Sequence, residues 1–320
     1  MVKKGAVLVT GGSGKLGRAL INRLIKEGRI VKVLLHEQNN EIQSLPGVIA
    51  YIGELGDSSL LKRACREVET VFHLAAVVGV GKKGPTDLMK VNVRGTRNLV
   101  DAARAAKVER IIFASALSVY GMVRKEKLTE ESVVKPSDSY GYSKALAERE
   151  VINSGLNYTI FRMATIYGVG FEDFFIKMAR LVKEGRGFLV GEGKNHIPLV
   201  HISDVLNAFM LALNRKKSID NIYIITDGRN YTQRDLLEML ARLVGVRKPE
   251  RIVNPFFARV IAKKEGLNRD DINFLMTDKV VDISKAKKQL GFKPKKNIVS
   301  NSGGLLKEFT DYGVEEEFEV

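Results

Sequence analysis

Tryptophan is absent from this 320-residue chain, cysteine occurs once and histidine only four times. A lone Cys65 excludes an internal disulfide framework, and neither it nor the scattered histidines has the spacing of a metal site. Proline is scarce, and no Pro- or Ser-rich stretch is long enough for a disordered arm. Apolar runs are strand-sized, such as Ala6 to Val9 and Val33 to Leu35, far short of the roughly 18 to 20 residues of a membrane span. The expectation is a globular, cytoplasmic protein with no structural metal, spanning helix or secretory signal.

What is abundant is charge: 28% of residues are charged and the formal net charge is +15. Lys and Arg alternate with Glu and Asp along most helices, as in Lys26-Glu27 and Arg66-Glu67. That pattern favours a solvated, ion-pair-rich surface over a field for anionic substrates, and both over a nucleic-acid partner.

From Gly5 to about Phe161 short β-branched runs alternate with amphipathic stretches, the pattern of repeated βαβ units around a parallel sheet. Strands are expected at Ala6–Thr10, Val31–Leu35, Val48–Ile52, Thr70–Leu74, Arg110–Ser115 and Tyr158–Arg162. Leu16, Leu20 and Leu24 with Ile21 and Ile25 mark the first helix, which Gly28 stops. Beyond Met163 the pattern predicts a helix from Glu172 to Glu184, a short strand near Leu199, and a helix after Ser203. A strand at Ile222–Thr226 and a helix from Arg234 to Leu243, capped by Thr232 with Asp235, follow.

Thr10-Gly11-Gly12-Ser13-Gly14-Lys15-Leu16-Gly17 joins the first strand to the first helix. Glycines there permit a tight turn and close backbone approach, and the helix N-terminus faces an anion, so a dinucleotide pyrophosphate is expected at Gly11, Ser13, Gly14, Lys15, Leu16 and Gly17. The second strand ends Leu35-His36-Glu37, where an acid suits a ribose 2′-OH and a base a 2′-phosphate. His36 tilts the expectation from NAD slightly toward NADP. The fold class expected is α/β: a Rossmann doubly wound parallel sheet over residues 1–165, with a smaller C-terminal α/β substrate lobe over 166–320 and some chain crossing back to the sheet.

Tyr140 and Lys144 lie four apart, one turn along the same helix face. An ammonium beside a phenol lowers its pKa from about 10 toward the working range and makes a usable acid/base. With the glycine loop and this pair, the sequence resembles the extended short-chain dehydrogenase/reductase family, of NAD-dependent epimerase/dehydratase type. The resemblance continues through Phe72-His73-Leu74-Ala75-Ala76, Val91-Asn92-Val93-Arg94-Gly95-Thr96, Ser115-Ala116-Leu117-Ser118-Val119-Tyr120-Gly121, Phe161-Arg162-Met163, Val200-His201-Ile202-Ser203-Asp204 and Leu290-Gly291-Phe292-Lys293-Pro294.

The resemblance implies cofactor contacts from Leu74, Ala75 and Ala76 beside the nicotinamide ribose, from Glu54 and Leu55 near the adenine, and from Asn92, Tyr140 and Lys144. It implies catalysis by Tyr140 and Lys144, and a homodimer formed through the helices around Val91–Ala106 and Tyr140–Ser154. Ala116 occupies the position of the family's catalytic hydroxyl, which leaves Ser115 and Ser118 as stand-ins. Ile197 stands where nucleotide-sugar epimerases often place an Arg for the diphosphate.

The function expected is hydride transfer at a secondary alcohol or ketone carbon of a small-molecule substrate, in the manner of a nucleotide-sugar epimerase or dehydratase. A ketone reductase of 3β-hydroxysteroid dehydrogenase or dihydroflavonol reductase type is the enzymatic alternative, and a non-catalytic dinucleotide sensor the other. His73, and His201 with Asp204, are expected to be structural, with Ser203 or Asp204 as a helix cap. Phe256, Phe257, Val260 and Ile261 beside Arg259, Lys263 and Lys264 are expected to be buried under the substrate lobe or at a subunit contact. The acidic end, Glu315 to Glu317 and Glu319, is expected to be a solvated tail.

Overall fold

A computed structural model describes residues 5–78, 84–123 and 126–299; the acidic end lies outside them. Seven strands form the central sheet: β1 Ala6–Thr10, β2 Val31–Leu35, β3 Val48–Ile52, β4 Val68–His73, β5 Arg110–Ala116, β6 Asn157–Met163 and β7 Asn221–Ile225. They run in the order 3-2-1-4-5-6-7, and every pair is parallel. Order reverses between β1 and β4, which opens a crevice at their carboxyl ends.

The first three strands end where the sequence predicts. The next three run one or two residues beyond the expected start or end, because pairing continues past the apolar run: Ala6 pairs with Val68, Arg110 with Asn157 and Ala116 with Met163. Both faces of the sheet are covered, so β2 is buried along its whole length.

The helices that matter for the site are α1 Lys15–Lys26, α2 Ser58–Cys65, α3 Gly95–Ala105, α4 Ser139–Ile152, α5 Asp173–Lys183, α6 Ile202–Asn214, α7 Gln233–Leu243, α8 Ala258–Lys264 and α9 Arg269–Leu275. Leu20, Ile21 and Leu24 of α1 are buried as their spacing requires, and Gly28 follows at φ 72°, in the left-handed region that favours glycine. Thr232 and Asp235 form the predicted reciprocal cap of α7. α3 is entered through a π-helical stretch, Met89–Arg94, that periodicity did not reveal.

A separate apolar core holds the second half together, with Phe175, Met178, Phe188, Leu236, Leu240 and Ile272 among its members. The basic-apolar segment departs from expectation here. α8 turns Ala258 and Ala262 inward, four residues apart, and leaves Phe256 84% and Phe257 55% exposed. Burial of these rings beneath the lobe does not occur. Among the described residues no helix is long and apolar enough to cross a membrane.

Candidate active site

The glycine loop is shaped by steric necessity. Gly11 has φ 73°, and a Cβ there would stand 2.7 Å from the Ala75 nitrogen; a Cβ on Gly17 would stand 2.2 Å from the Gly11 oxygen. Gly14 precedes α1 and no side chain caps that helix, whereas α2, α4, α7 and α9 are capped by Asp57, Asp138, Thr232 and Asn268. The first N–H groups of α1 are therefore left for a ligand, and with the dipole they suit a pyrophosphate. Ser13, Gly14 and Lys15 are exposed around it. The Lys15 ammonium reaches Asp173 of α5 at 2.5 Å, spanning from the sheet to the second half.

At the far end His36 and Glu54 are both exposed, with Nδ1 and Oε1 4.0 Å apart, and Lys90 Nζ lies 3.7 Å from the other Glu54 oxygen. Leu55 is buried, and its carbonyl accepts from Asn98 Nδ2 at 3.0 Å.

A buried polar chain fixes the loop after β4. The Ala75 N–H donates to Thr10 Oγ1 at 3.3 Å, and Thr10 Oγ1 lies 2.7 Å from His73 Nδ1. His73 Nε2 lies 2.8 Å from Thr96 Oγ1, which itself donates to the Asn92 carbonyl at 2.5 Å. Because Thr96 spends its proton on Asn92, His73 carries its hydrogen on Nε2 and accepts from Thr10 at Nδ1. Burial, and then the Lys144 charge, push the His73 pKa down to about 3, so the ring is neutral.

Asn92 continues the chain. Its Oδ1 accepts from the Val77 N–H at 2.8 Å, and its Nδ2 donates to the Val77 carbonyl at 3.0 Å and to Ser143 Oγ at 2.9 Å. Ser143 in turn donates to the Tyr140 carbonyl at 2.8 Å. His73 and Asn92 thus stand behind the cavity wall and hold it, while Leu74 and Ala76 line it. Asn92 was expected among the cofactor contacts; in the structure its amide is fully engaged with the backbone and with Ser143.

The cavity measures about 660 Å³ and is lined by Gly11, Gly14 to Gly17, Leu74, Ala76, Ala116, Ser118, Tyr140 and Lys144. Asp138 starts α4 by accepting from the Gly141 N–H at 2.7 Å. One turn on, the buried Lys144 ammonium donates to the Ala114 carbonyl at 2.5 Å and lies 4.0 Å from the centre of the Phe113 ring. Burial draws its pKa down to about 7 against the pull of Glu148. Tyr140 moves the other way: burial, and then the Asp138 and Asp270 carboxylates, hold its phenol above the ordinary value. The sequence predicted a phenol lowered by Lys144; in the structure one N–H of the Lys144 ammonium goes to Ala114, and burial with the Asp138 and Asp270 carboxylates raises the phenol.

The three residues weighed for the missing hydroxyl separate clearly. Ala116 borders the cavity and supplies no donor. Ser115 donates to Glu148 Oε1 at 2.5 Å, and that carboxylate pairs with Arg162 Nη2 at 2.8 Å, both acid and base buried. Arg162 also donates to Tyr120 Oη at 2.6 Å and to the Glu130 carbonyl at 3.1 Å. Ser115 thus lines the cavity as Ala116 does, with its hydroxyl proton engaged by the buried Glu148–Arg162 ion pair. Ser118 Oγ is buried at the cavity wall with no hydrogen-bond partner among the described residues.

Sequence reasoning missed the opposite wall. Met163, Ile166, Phe171, Phe174, Pro198 and Phe274 give it an apolar cluster, Arg269, Asp270, Asn273 and Thr277 a polar edge, and Lys279 stands in it with only 6% of its surface exposed. Its Nζ donates to the Leu117 carbonyl at 3.2 Å, and burial draws its pKa down to about 8, opposed by Asp138. Its backbone is clamped, since its own N–H donates to the His196 carbonyl at 2.9 Å and Asn195 Nδ2 donates to the carbonyls of Leu275 and Thr277. Ile197 packs in the second core rather than facing the cavity. His201, not Ser203 or Asp204, caps α6, with Nδ1 accepting from the Ser203 N–H at 3.1 Å; Asp204 accepts from the N–H groups of Lys295 and Lys296. Among the described residues no cluster could hold a metal ion.

A doubly wound sheet, an uncapped glycine-loop helix at its switch point and a Tyr-Lys pair on the same cavity define a dinucleotide-dependent oxidoreductase. The chain belongs to the NAD dependent epimerase/dehydratase family, whose model matches residues 7–226. It is 27% identical to the UDP-glucose 4-epimerase of Vibrio cholerae over 90% of each chain. It is also 29% identical to the 2-alkyl-3-oxoalkanoate reductase of Stenotrophomonas maltophilia over 78% of each. Among solved structures it is similar to MoeE5 in complex with UDP-glucuronic acid and NAD, at 26% identity and TM-score 0.79, over 96% of this chain and 100% of that one.

Proposed function

We propose that this protein is an NAD-dependent nucleotide-sugar epimerase or dehydratase that oxidises and re-reduces a secondary alcohol carbon. The observation that carries the reading is that Tyr140 and Lys144 share one cavity with the uncapped N-terminus of α1. MoeE5, solved with UDP-glucuronic acid and NAD, and the UDP-glucose 4-epimerase of Vibrio cholerae support the substrate class. Residues 1–165 then hold the cofactor and residues 166–320 most of the substrate.

The cofactor supplies a hydride acceptor and donor. Gly11, Gly14 and Gly17 give backbone approach to its pyrophosphate, and Leu74 to Ala76 flank its nicotinamide ribose. Glu54 offers a carboxylate to the adenosine ribose, which favours NAD over the NADP that His36 alone suggested. Tyr140 gives its phenolic proton to the substrate oxygen on reduction and takes it back on oxidation. Lys144 holds the ribose and, once its ammonium turns from Ala114, lowers the phenol for the oxidative direction. Ser118 polarises the substrate oxygen in place of the hydroxyl absent at Ala116. The protein acts as a homodimer through α3 and α4.

One observation favours a second reading: Met163, Ile166, Phe171, Phe174 and Phe274 form an apolar cluster in the substrate-side wall, which fits a ketone reductase of the kind found in Stenotrophomonas maltophilia. The test is to incubate the protein with NAD and UDP-glucose or UDP-glucuronic acid, following the sugars by chromatography and the cofactor by absorbance. Sugar interconversion or dehydration without net NADH supports the proposal. Steady NADH consumption with an apolar ketone and no sugar turnover replaces it with the reductase. Tight NAD binding with neither reaction identifies a dinucleotide sensor.

A further inference from the structure

The exposed surface of α8 is unlike the rest of the molecule. Phe256 and Phe257 stand side by side as an edge-to-face pair, centroids 5.2 Å apart at 88°, and both face solvent. Val260, one turn along, is 56% exposed, and Ile252 of the neighbouring short strand is 61% exposed. Scattered apolar residues on a surface need no explanation, whereas an adjacent aromatic pair with aliphatic neighbours marks a contact site.

The charges around this patch say what it contacts. Arg259, Lys263 and Lys264 are exposed beside it, and none pairs with a carboxylate among the described residues. The net charge of +15 leaves many cations of the chain without a matching acid, and here three of them fall within the seven residues of α8, beside the exposed rings. The one acid in the segment, Glu265, is already held by Arg186 and Arg251 at 2.7 and 2.8 Å. An apolar prow ringed by unmatched cations fits a surface that is apolar below and anionic above.

We propose that α8 and the Phe256-Phe257 turn dock this protein onto an anionic lipid bilayer, with the two rings entering the acyl boundary and Arg259, Lys263 and Lys264 meeting the headgroups. A second copy of the chain fits less well. A two-fold contact through this patch would set the three cations against their own counterparts. α8 packs on α9, whose Arg269, Asn273 and Phe274 line the cavity, so the docked face is one helix away from the substrate wall. The proposal is independent of which substrate is turned over.

Because the chain has no tryptophan, Phe256→Trp places a single reporter in the patch. The full chain is mixed with vesicles of equal phosphatidylcholine and phosphatidylglycerol, and with phosphatidylcholine alone. Expected results are a blue shift of the Trp emission and flotation at least about tenfold greater with the anionic vesicles. Phe256→Ser/Phe257→Ser lowers flotation about tenfold at unchanged Tm, and Lys263→Gln/Lys264→Gln lowers it and flattens its salt dependence. Three results overturn the proposal: no flotation; flotation of the serine variant equal to wild type, meaning that net positive charge alone suffices; or lipid-free dimerisation that the serine variant abolishes.

Discussion

The two walls of the cavity are built in opposite ways. The cofactor wall comes from strand ends and the turns directly after them, and its polar groups are satisfied by one another through Thr10, His73, Thr96, Asn92 and Ser143. The substrate wall gathers residues 163–174, Pro198 and residues 269–279 into a mixed surface, an apolar cluster of Met163, Ile166, Phe171, Phe174 and Phe274 beside the polar Arg269, Asp270, Asn273, Thr277 and Lys279. The first wall is rigid and general, suited to a cofactor common to many enzymes. The second is where one family member differs from the next, because fold alone does not choose a substrate.

Breaking the junction of the two walls should have the largest effect. Tyr140→Phe removes the proton donor and should lower kcat about 10² to 10⁴-fold while NAD affinity, read by titration, stays within about threefold. Next comes the contrast of the two serines. Ser118→Ala should lower kcat about 10² to 10³-fold with little change in Tm. Ser115→Ala should do the reverse, costing about 1 to 3 kcal/mol in denaturant unfolding because Glu148 loses a donor, with kcat within about threefold of wild type. Equal kinetic losses would erase the distinction drawn between them.

Gly17→Ala tests the cofactor wall alone. Its Cβ would meet the Gly11 carbonyl, so the NAD Kd should rise about 10 to 100-fold, with activity recovered at saturating NAD. The smallest effect concerns the substrate wall. The folded pKa of Lys279, about 8, lies below its unfolded 10.5, so between these values the unfolded chain binds more protons and the lysine's cost fades as pH rises. Lys279→Met should therefore stabilise the fold by about 1 to 2 kcal/mol below pH 8, and that gain should vanish near pH 10.5, as read by Tm against pH.

The same contrast explains what the sequence made legible. The glycine loop, the ends of β1 to β3 and the four-residue spacing of Tyr140 and Lys144 are local patterns with local causes. Strand alternation separated Ser115 from Ala116, but that Ser115 is spent on Glu148 depends on a residue 33 positions away. Lys279 meets Leu117 across 162 positions, and nothing in Asp278-Lys279-Val280 announces that this lysine, among so many, is the buried one. The Phe256 segment misled for a related reason. Its amphipathic pattern was sound, but which face turned inward was decided by Ala258 and Ala262, whose small side chains let α8 lie close against the lobe.

β7 has a consequence for how the chain can be made and cut. It pairs with β6 along Thr159 to Met163, yet it is encoded beyond the first segments of the substrate lobe. Until residue 225 has been synthesised, β6 keeps an unpaired edge of backbone donors and acceptors carrying Ile160 and Phe161, a ready template for another strand. Truncation after residue 165 would make that open edge permanent. Such a fragment should aggregate rather than serve as a minimal nucleotide-binding module, and the nascent chain needs shielding over the same interval.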